Sequence, residues 1–380
     1  MGLGLFITWL VHGRSSLDIV VEPQSDQVID LHAGEPPLIS VIIPARNEAR
    51  NIKRCVQALF EQTYPNVEVI VVDDRSNDET PVILSELEKM GARLQIIHGS
   101  ELPPGWAGKP HALVQGAAAA LGAWLCFMDA DTFAGPGLLS STYRMAVDQE
   151  ADMFSILTEQ ELGSFWEKTI LPLVFLGLSF GFPAKQVNDP DKPDAISNGQ
   201  FILIKRSVYD QVGGHTAVKD RIDEDKAIAT ITKHAGYRLI LADGRKVART
   251  RMYTSLAEMW EGWTKNIYLG LQDMLWLLLF GAVLGLVVSI LLPFWLLGGL
   301  VWLTTGGGVA AAVVTVEASL LWIYLIYKRL RACRAFSIPG GYALTFPLGA
   351  LIFTAMMAAS AFNVVSGRGV LWKGRRYRQP

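Results

Sequence analysis

The chain has 380 residues, of which 51% are hydrophobic and only 18% are charged. An ordinary soluble domain carries about 25% charged residues, and this apolar composition excludes both a disordered chain and a coiled coil. The formal net charge of −2 conceals two unlike parts. Residues 1–273 carry 25 basic and 35 acidic side chains, whereas residues 274–380 carry nine basic and one acidic. We therefore expect an acidic globular part followed by a basic, apolar part.

The N-terminal region, residues 1–37, begins with an apolar stretch at 3–11. This stretch is too short to cross a bilayer, which requires about 20 apolar residues in a helix. It also lacks the basic start and the cleavage site of a signal peptide. We interpret residues 1–37 as a short membrane anchor and a linker.

Residues 38–253 alternate apolar runs with segments of helical periodicity, a pattern typical of an α/β fold with parallel strands. The apolar runs predict four strands, at 38–43, 67–72, 94–98 and 124–128. We expect Pro44 to end the first of them. Helices are predicted between the strands, at 47–62, 79–90 and 109–121. In such folds ligands bind beyond the carboxyl ends of the strands, where four acidic residues fall: Asp73, Asp74, Asp129 and Asp131.

Two familiar nucleotide-binding patterns are absent from the sequence. No GxGxxG follows any of the predicted strands, which disfavours a dinucleotide dehydrogenase. Gly108-Lys109 is followed by Pro110 instead of Ser or Thr, so it is not a phosphate-binding P-loop. There is also no GxSxG elbow of a hydrolase. With these patterns excluded, we expect a divalent metal, more than a cradle of backbone amides, to hold the phosphates.

The triplet Asp129-Ala130-Asp131 follows the fourth predicted strand. In an extended segment residues i and i+2 point to the same side, so the two carboxylates can converge on one ion. Hard oxygen ligands select Mg²⁺ or Mn²⁺, and such an ion keeps open positions for substrate phosphates. It would neutralise the charge that grows on a leaving diphosphate. We therefore predict Asp129 and Asp131 as metal ligands, with Mg²⁺ or Mn²⁺ as the cofactor.

Four motifs follow one another in a recognisable order. They are VIIPARNE at 41–48, VIVVDDRSNDET at 69–80, FMDADT at 127–132 and DEDKAIA at 223–229. This order resembles the family 2 glycosyltransferases, which have a Rossmann-like GT-A fold. Within that family the chain looks closest to membrane enzymes associated with hopanoid and carotenoid glycosylation, through LPPGWAGKPHA at 102–112 and NGQF at 198–201. The QxxRW box of processive members is absent, which argues against a polysaccharide synthase.

The resemblance implies a nucleotide-sugar pocket at the ends of the first two strands. The residues that would line it are Pro44, Ala45, Arg46 and Glu48, with Glu48 near the base or the ribose. Asp73 or Asp74 would accept the N3–H of uracil. A carboxylate suits this contact because it offers only acceptors to an imide donor. The doublet alone does not distinguish the two residues.

The resemblance also implies the catalytic groups. Lys109 would approach the diphosphate, Asp129 would contact the ribose and the metal, and Asp131 would contact the metal. Asp225, in the motif at 223–229, would be the general base of an inverting hexosyl transfer. The alternative interpretation of Asp223, Glu224 and Asp225 is that acids at a helix start complement the helix dipole.

Residues 273–367 have the composition of a membrane region. No charged residue occurs in 274–316 or in 335–367. We predict three hydrophobic segments, at about 274–303, 309–327 and 341–364, the first kinked at Pro293 and the third either spanning or re-entrant. Residues 368–380 form a basic tail.

Two segments predict amphipathic helices at the membrane surface, at 162–182 and 254–272, with packing into a protein core as the alternative. The basic loop at 328–334 indicates that the globular part faces the cytoplasm. Three scattered cysteines, Cys55, Cys126 and Cys333, form no disulfide framework and agree with a reducing compartment. We therefore expect an integral protein of a bacterial cytoplasmic membrane.

The expected activity is the transfer of a sugar from a nucleotide-diphosphate sugar, a UDP-sugar by preference, to a hydroxyl of a membrane lipid such as a carotenoid or hopanoid. A polyprenyl-phosphate acceptor is the main alternative. A membrane transporter with a nucleotide-sensing domain is more remote, because the three segments carry only Glu317 as an ionisable acid. The expected partners are the donor, the lipid and the membrane, and not nucleic acid.

Overall fold

The structure is a computed structural model that describes residues 17–23, 35–90, 93–181, 184–271, 275–372 and 375–377. The apolar stretch predicted as an anchor at 3–11 lies outside these residues. The chain divides into two compact units. The α/β unit comprises residues 1–161 and 179–251, and the apolar unit comprises residues 162–178 and 252–380.

The α/β unit is built on two β-sheets. Their strands are β1 (Ile39–Ala45), β2 (Val67–Asp73), β3 (Leu94–His98), β4 (Trp124–Phe127), β5 (Thr132–Ala134), β6 (Met153–Leu157), β7 (Glu159–Gln160), β8 (Ile202–Lys205), β9 (Leu239–Asp243) and β10 (Ala248–Thr250). The large sheet has the order β3-β2-β1-β4-β8-β6-β9, and the small one has the order β5-β10-β7. The first four strands are parallel to one another, whereas β8 is antiparallel to both of its neighbours. The predicted α/β class is confirmed.

The helices of this part of the chain are α1 (Ile52–Phe60), α2 (Thr80–Glu88), α3 (Gly108–Ala119), α4 (Leu138–Asp148), α5 (Phe165–Gly181), α6 (Ala184–Asn188), α7 (Arg206–Gln211) and α8 (Glu224–His234). The first helix begins five residues later than the predicted start at residue 47. Asn47 has φ 55°, a left-handed conformation, and its side-chain oxygen accepts a hydrogen bond from the backbone N–H of Asn77 at 2.8 Å. The chain therefore makes a turn before it can enter α1.

Strand β1 passes through Pro44 and ends at Ala45, so the prediction that Pro44 ends the strand is wrong. Strand β4 pairs with β1 only as far as Ile42, whereas β2 pairs with it as far as Ala45. Alternate residues of a strand direct their backbone groups to the same neighbouring strand. Ile42 faces β4, since its carbonyl accepts from the N–H of Met128, and Pro44 therefore faces the same side. The proline therefore removes no hydrogen bond of the sheet.

Helices cover both faces of the large sheet, which explains why its strands are continuous apolar runs. One face packs against α1, through buried side chains that include Val41, Ile43, Val71, Val56 and Leu59. The other face packs against α3, through Ile42, Ile70, Val72, Ala112 and Leu113. This packing aligns the carboxyl ends of β1, β2 and β4 along one edge, where the acidic residues of the motifs lie.

The apolar unit is mainly helical. Its elements are the first part of α5, α9 (Leu256–Leu271), α10 (Leu275–Leu286), a π-helical turn (Val287–Leu291), α11 (Leu292–Thr304), α12 (Gly308–Ala335), a 3₁₀ turn (Gly340–Thr345), α13 (Phe346–Val365), and a hairpin of β11 (Val370–Trp372) and β12 (Arg375–Tyr377). Within the described residues, Gly308–Ala335 and Gly340–Asn363 are long and apolar enough to cross a membrane. The second and third predicted segments overlap these helices.

The first predicted membrane segment is divided into α10 and α11. The interruption is the π-helical turn at Val287–Leu291, which lies just before Pro293. A proline has no N–H for the regular helical bond, and a wider turn is one way in which a helix accommodates it. The predicted disturbance at Pro293 is therefore present, as a change of helix type.

A second proline is accommodated by a buried arginine. Pro172 lies inside α5, so the carbonyl of Lys168, four residues earlier, receives no intrahelical hydrogen bond. Arg329 of α12 donates from Nη2 to this carbonyl at 2.6 Å and to the carbonyl of Thr169 at 3.1 Å. Arg329 is only 2% exposed. Its guanidinium thus replaces the missing donor and joins α5 to α12.

The apolar faces of α5 and α9, predicted to lie at the membrane surface, pack into one cluster with α13. The buried members of this cluster are Ile170, Leu171, Val174, Tyr253, Met259, Trp263, Ile267, Met356 and Met357. Trp260, on the same helix as Met259 and Trp263, is instead 39% exposed. The alternative of packing inside the protein therefore describes most of this face, and the membrane-surface position of residues 254–272 stays a prediction.

Candidate active site

The motif at the end of β4 forms a tight turn. The backbone N–H of Thr132 donates to the carbonyl of Asp129 at 3.1 Å, and the N–H of Arg251 donates to the carbonyl of Asp131 at 3.4 Å. Ala130, between the two aspartates, is buried, whereas both aspartates are partly exposed. Only Met128 separates the turn from Phe127, the last residue of β4. The predicted metal ligands thus lie at the edge of the sheet.

Lys109 connects this turn to helix α8. It is the second residue of α3, and its Nζ lies 2.6 Å from Oδ1 of Asp129 and 2.6 Å from Oε1 of Glu224. Burial disfavours the charged form of the lysine, but the neighbouring carboxylates Asp129, Glu224 and Asp225 hold its pKa well above the usual value. The lysine is therefore a fixed positive charge at the predicted diphosphate position.

Glu224 is the buried partner of that lysine. It is only 4% exposed, and burial raises the pKa of its carboxyl to about 7, against the opposing effect of Lys109. The first residue of α8 is thus an internal counter-ion and not a group that faces solvent. The sequence motif placed Glu224 beside the predicted base without indicating this pairing.

Asp225 is held by backbone groups on two sides. Its Oδ2 accepts from the N–H of Gly199 at 3.0 Å, and its Oδ1 accepts from the N–H of Lys226 at 2.8 Å. Ser197 donates from Oγ to the carbonyl of Asp225 at 2.6 Å. Asp223, by contrast, is bound by two hydrogen bonds of 2.8 Å from the side chain of Arg221. The three acids of the motif therefore have three different environments.

Gly199 lies where three predicted site residues meet. A Cβ atom on this glycine would lie 2.9 Å from Nζ of Lys109, 3.3 Å from Oδ2 of Asp225 and 3.5 Å from Oδ2 of Asp129. The absent side chain therefore leaves room for these three groups to approach one another. The NGQF segment at 198–201 is part of the family resemblance, but the resemblance implies no role for Gly199.

The predicted nucleotide residues follow β1 and β2. Asp73 and Asp74 are each 5% exposed, and Oδ1 of Asp73 accepts from the N–H of Ser76 at 3.1 Å. Arg46 donates from Nη1 to the carbonyl of Asp74 at 2.7 Å, which joins the loop after β1 to the loop after β2. Pro44 and Ala45 are the last two residues of β1, beside these groups, since the N–H of Asp74 donates to the carbonyl of Ala45 at 2.7 Å.

Glu48 lies on the α1 side of the same edge. Its Oε2 accepts from Nδ2 of Asn51 at 3.0 Å, and its N–H donates to Oγ1 of Thr80 at 2.8 Å.

The buried thiol of Cys55 is influenced by both the predicted nucleotide residues and the predicted metal residues. Burial raises its pKa well above the usual value, and the carboxylates of Asp131, Glu48 and Asp129 add to this effect. The predicted nucleotide and metal residues therefore approach one buried side chain.

The residues of the site fit the predicted metal in their chemistry. In the described part of the chain, no group of three or more His, Cys, Asp or Glu side chains is placed to hold an ion. The candidate ligands that the sequence predicts are Asp129 and Asp131, two hard carboxylates. Mg²⁺ and Mn²⁺ suit such a pair, because substrate phosphates and water commonly complete their coordination.

His215 is a neighbour that the sequence analysis did not include. It lies in the 3₁₀ turn Gly214–Thr216, is 1% exposed, and forms a 3.0 Å hydrogen bond between Nδ1 and the hydroxyl of Tyr209. Burial, with the positive charge of Lys109, lowers the pKa of His215 to about 3. The imidazole is therefore neutral at physiological pH. A buried histidine behind Lys109 is not visible in sequence spacing.

The comparison with protein families identifies the class of this domain. Residues 40–213 match the model of the family described as glycosyl transferase family 2. Residues 40–213 therefore form a family 2 glycosyltransferase domain, in agreement with the predicted family.

Two relatives named 4,4'-diaponeurosporenoate glycosyltransferase are similar to the chain. The protein of Staphylococcus haemolyticus (strain JCSC1435) is 28% identical over 235 residues, and that of Staphylococcus aureus (strain MRSA252) is 26% identical over 241 residues. Each match covers 61% of this chain and 61% of the relative. The similarity thus spans about three fifths of the relatives' length.

Two solved structures are also similar. The mannosyltransferase PcManGT from Pyrobaculum calidifontis, in complex with GDP-Man and Mn²⁺, is 19% identical with a TM-score of 0.49, covering 92% of this chain and 95% of that one. Residues 1–349 of Staphylococcus aureus TarS, in complex with UDP, are 17% identical with a TM-score of 0.39, covering 60% and 63%.

Proposed function

We propose that the chain transfers a sugar from a UDP-sugar to a hydroxyl group of a membrane lipid, with inversion at the anomeric carbon. The observation that carries this proposal is the convergence of Lys109, Asp129 and Asp225 around Gly199. The reaction requires a cation that binds the diphosphate, a carboxylate that binds the metal and a carboxylate that accepts the proton of the acceptor.

Asp225 is the proposed general base. Its carboxylate takes the proton of the acceptor hydroxyl while the acceptor oxygen bonds to the anomeric carbon. The bond between that carbon and the diphosphate oxygen breaks on the opposite face, and the electron pair leaves with the diphosphate. A positioned base of this kind contributes about 10²–10⁴-fold to the rate. The N–H groups of Gly199 and Lys226 orient the carboxylate for this task.

Asp129 and Asp131 are the proposed ligands of Mg²⁺ or Mn²⁺. When bound, such an ion would neutralise charge on the diphosphate. Lys109 supplies a second positive charge beside Asp129. Because the diphosphate carries several acceptor oxygens, Lys109 would exchange a carboxylate contact for a phosphate contact when the donor binds. Glu224 would remain as its buried counter-ion.

Asp73, Asp74 and Glu48, with the chain from Pro44 to Arg46, form the proposed pocket for the nucleoside. One oxygen of Asp73 already accepts from Ser76 within its own turn. Either carboxylate can accept the imide N–H of uracil, and we propose this contact for the pair.

The lipid acceptor is supported by two observations. The relatives are named for the glycosylation of 4,4'-diaponeurosporenoate, a carotenoid acid. The apolar unit contains two helices long and apolar enough to cross a membrane. We propose an integral membrane protein whose α/β unit faces the cytoplasm, with the basic residues 328–334 on the same side.

The proposal is tested by transfer assays on the full chain in detergent with extracted membrane lipids. UDP-sugars and GDP-mannose would be compared as donors, and carotenoids, hopanoids and polyprenyl phosphate as acceptors. We expect a lipid product in which a sugar from a UDP-sugar is linked through a hydroxyl oxygen. Transfer to polyprenyl phosphate alone would assign the other acceptor class. Absence of transfer with every pair would contradict the proposed activity.

A further inference from the structure

A buried row of polar side chains crosses the interior between the metal turn and the turn that holds Asp225. Its members are Thr132, Thr250, Thr158, Gln200 and Asn198. The three threonines and Gln200 are each at most 5% exposed. Two of the hydroxyls come from the small sheet, from β5 and β10, which otherwise contributes no predicted site residue. Burying polar groups is costly unless they are hydrogen-bonded, so the row requires an explanation.

From Thr132 to Gln200 the hydrogen bonds of the row run in one direction. Thr250 donates from Oγ1 to Oγ1 of Thr158 at 3.1 Å, and Thr158 donates to Oε1 of Gln200. The hydroxyls of Thr132 and Thr250 lie 3.4 Å apart. Because Thr250 has one hydroxyl proton and uses it toward Thr158, the proton of this last contact comes from Thr132. Hydroxyl chains of this kind polarise one another and resist rearrangement.

The row ends at Asn198, the residue before the glycine that binds Asp225. Oε1 of Gln200 also accepts from Nδ2 of Asn198 at 3.0 Å, and this amide nitrogen donates in addition to the carbonyl of Ile156 at 2.9 Å. The side chain of Asn198 is therefore fixed in orientation. The next residue, Gly199, directs its N–H to Oδ2 of Asp225 at 3.0 Å.

The row begins at the metal turn. Thr132 is the residue after Asp131, and its N–H closes the turn by donating to the carbonyl of Asp129. Thr250 precedes Arg251, whose N–H donates to the carbonyl of Asp131. Both initial members of the row are thus attached to the aspartates through the main chain. Each step from Asp129 to Asp225 is a hydrogen bond or a peptide link.

On the basis of the transfer activity proposed above, we propose that this row positions the general base relative to the metal turn. Thr158 and Gln200 act as positioning residues, because they touch neither predicted substrate site and operate through Asn198 and Gly199. The row keeps the N–H of Gly199 directed at Asp225. The distance between the general base and the metal turn, where the diphosphate leaves, therefore stays constant. Misplacement of a reacting group by about 1 Å is sufficient to lower a rate by about 10²-fold.

The test is the substitution Thr158→Val in the full chain in detergent. Valine keeps the shape but removes the central hydroxyl, which both accepts and donates. We expect transfer turnover to fall by about 10-fold to 10²-fold, with the affinity for UDP and Mn²⁺ within about 2-fold of the original. Thr158→Ser keeps the hydroxyl and is expected to restore most of the turnover. A role in stability alone would not produce this division between turnover and affinity.

The matched control is Thr232→Val. Thr232 is a fully buried threonine in α8, the helix of Asp225, and its hydroxyl has no hydrogen-bond partner in the described part of the chain. This variant is expected to retain turnover. Hydrogen–deuterium exchange of a peptide covering 197–201 adds a readout independent of activity. Exchange there should accelerate by about 10-fold in Thr158→Val and remain unchanged in the control.

The outcomes separate this proposal from the proposed activity. An active wild type with unchanged turnover and unchanged exchange in Thr158→Val would overturn the positioning role. If the wild type transfers no sugar, the proposed activity fails, and exchange at 197–201 still decides whether the row holds the turn. If Thr158→Val does not fold, Thr250→Val breaks the same row one step earlier and is expected to show the same two effects.

Discussion

Nζ of Lys109 lies 2.6 Å from Oε1 of Glu224, a carboxylate that is almost completely buried. This pair joins the start of α3 to the start of α8 behind the proposed metal turn. A buried ion pair contributes little net stability, and the loss of one partner leaves an uncompensated charge. Its value in this site is that the positive charge stays fixed before the donor arrives.

The first prediction concerns the pH dependence of stability. Burial raises the pKa of Glu224 from its ordinary value of 4.5 to about 7 in the folded chain. Folding therefore retains a proton across this window, and the free energy of unfolding falls as pH rises through it. Glu224→Gln lacks this contribution. The thermal midpoint of the wild type should therefore fall relative to that of the variant as the pH rises from 4.5 to 7. The exposed Glu88→Gln is the control. A constant difference would contradict the burial of Glu224 as described.

The second prediction concerns the metal. In Asp131→Asn the amide keeps the shape of the side chain but loses the charge that the ion requires. We expect the Mn²⁺-dependent affinity for UDP to fall by about 10-fold or more. Isothermal titration calorimetry with and without Mn²⁺ measures this directly, and Asp148→Asn on the exposed side of α4 is the control. Equal metal-dependent affinity in wild type and Asp131→Asn would remove this residue from the metal site.

The third prediction concerns the space at Gly199. In Gly199→Ala the new Cβ would lie 2.9 Å from Nζ of Lys109, so the lysine must move. Since the end of a lysine is flexible, we expect a small change of thermal midpoint but a loss of donor affinity and turnover of about 10-fold. Gly298→Ala, where the Cβ meets no atom within 4 Å, is the control. Normal kinetics in Gly199→Ala would show that the close approach is not required.

The fourth prediction concerns Arg329 and Pro172. Arg329→Met leaves the carbonyl of Lys168 without a donor and should destabilise the chain by about 1–3 kcal/mol. In the background of Pro172→Ala, the restored N–H of residue 172 can serve that carbonyl, so the same substitution should cost less. A double-mutant cycle on thermal unfolding in detergent measures this coupling. Additive effects would mean that the arginine does not compensate for the proline.

The fold was predictable from sequence where local pattern and burial agree. The strand β3 occupies its predicted residues, 94–98, and α3 begins one residue before its predicted start, because apolar periodicity and a proline in the first turn mark it. The antiparallel strand β8 and the small sheet were not predicted. Strands of three or four residues that pair with distant segments leave no periodicity of their own.

The site was predictable as far as motif spacing extends. Lys109, Asp129 and Asp225 were placed in one site by resemblance, and the structure brings them together around Gly199. The partnership of Lys109 with Glu224 and the neutral state of His215 depend on burial. Burial arises from packing between α3, α8 and the sheet, which no local window of sequence contains. The same holds for the polar row that ends at Asn198.

The most direct test of the proposed mechanism is the transfer rate of Asp225→Asn at saturating donor. The amide removes the proton acceptor but keeps the shape and one acceptor oxygen, so the loss in stability should be about 1 kcal/mol. Donor affinity should remain near that of wild type while turnover falls by about 10²-fold or more. Asp223→Asn, whose carboxylate is bound to Arg221, is the matched control and should retain turnover. A folded Asp225→Asn variant that binds donor normally and transfers sugar at the wild-type rate would contradict the assignment of Asp225 as the base.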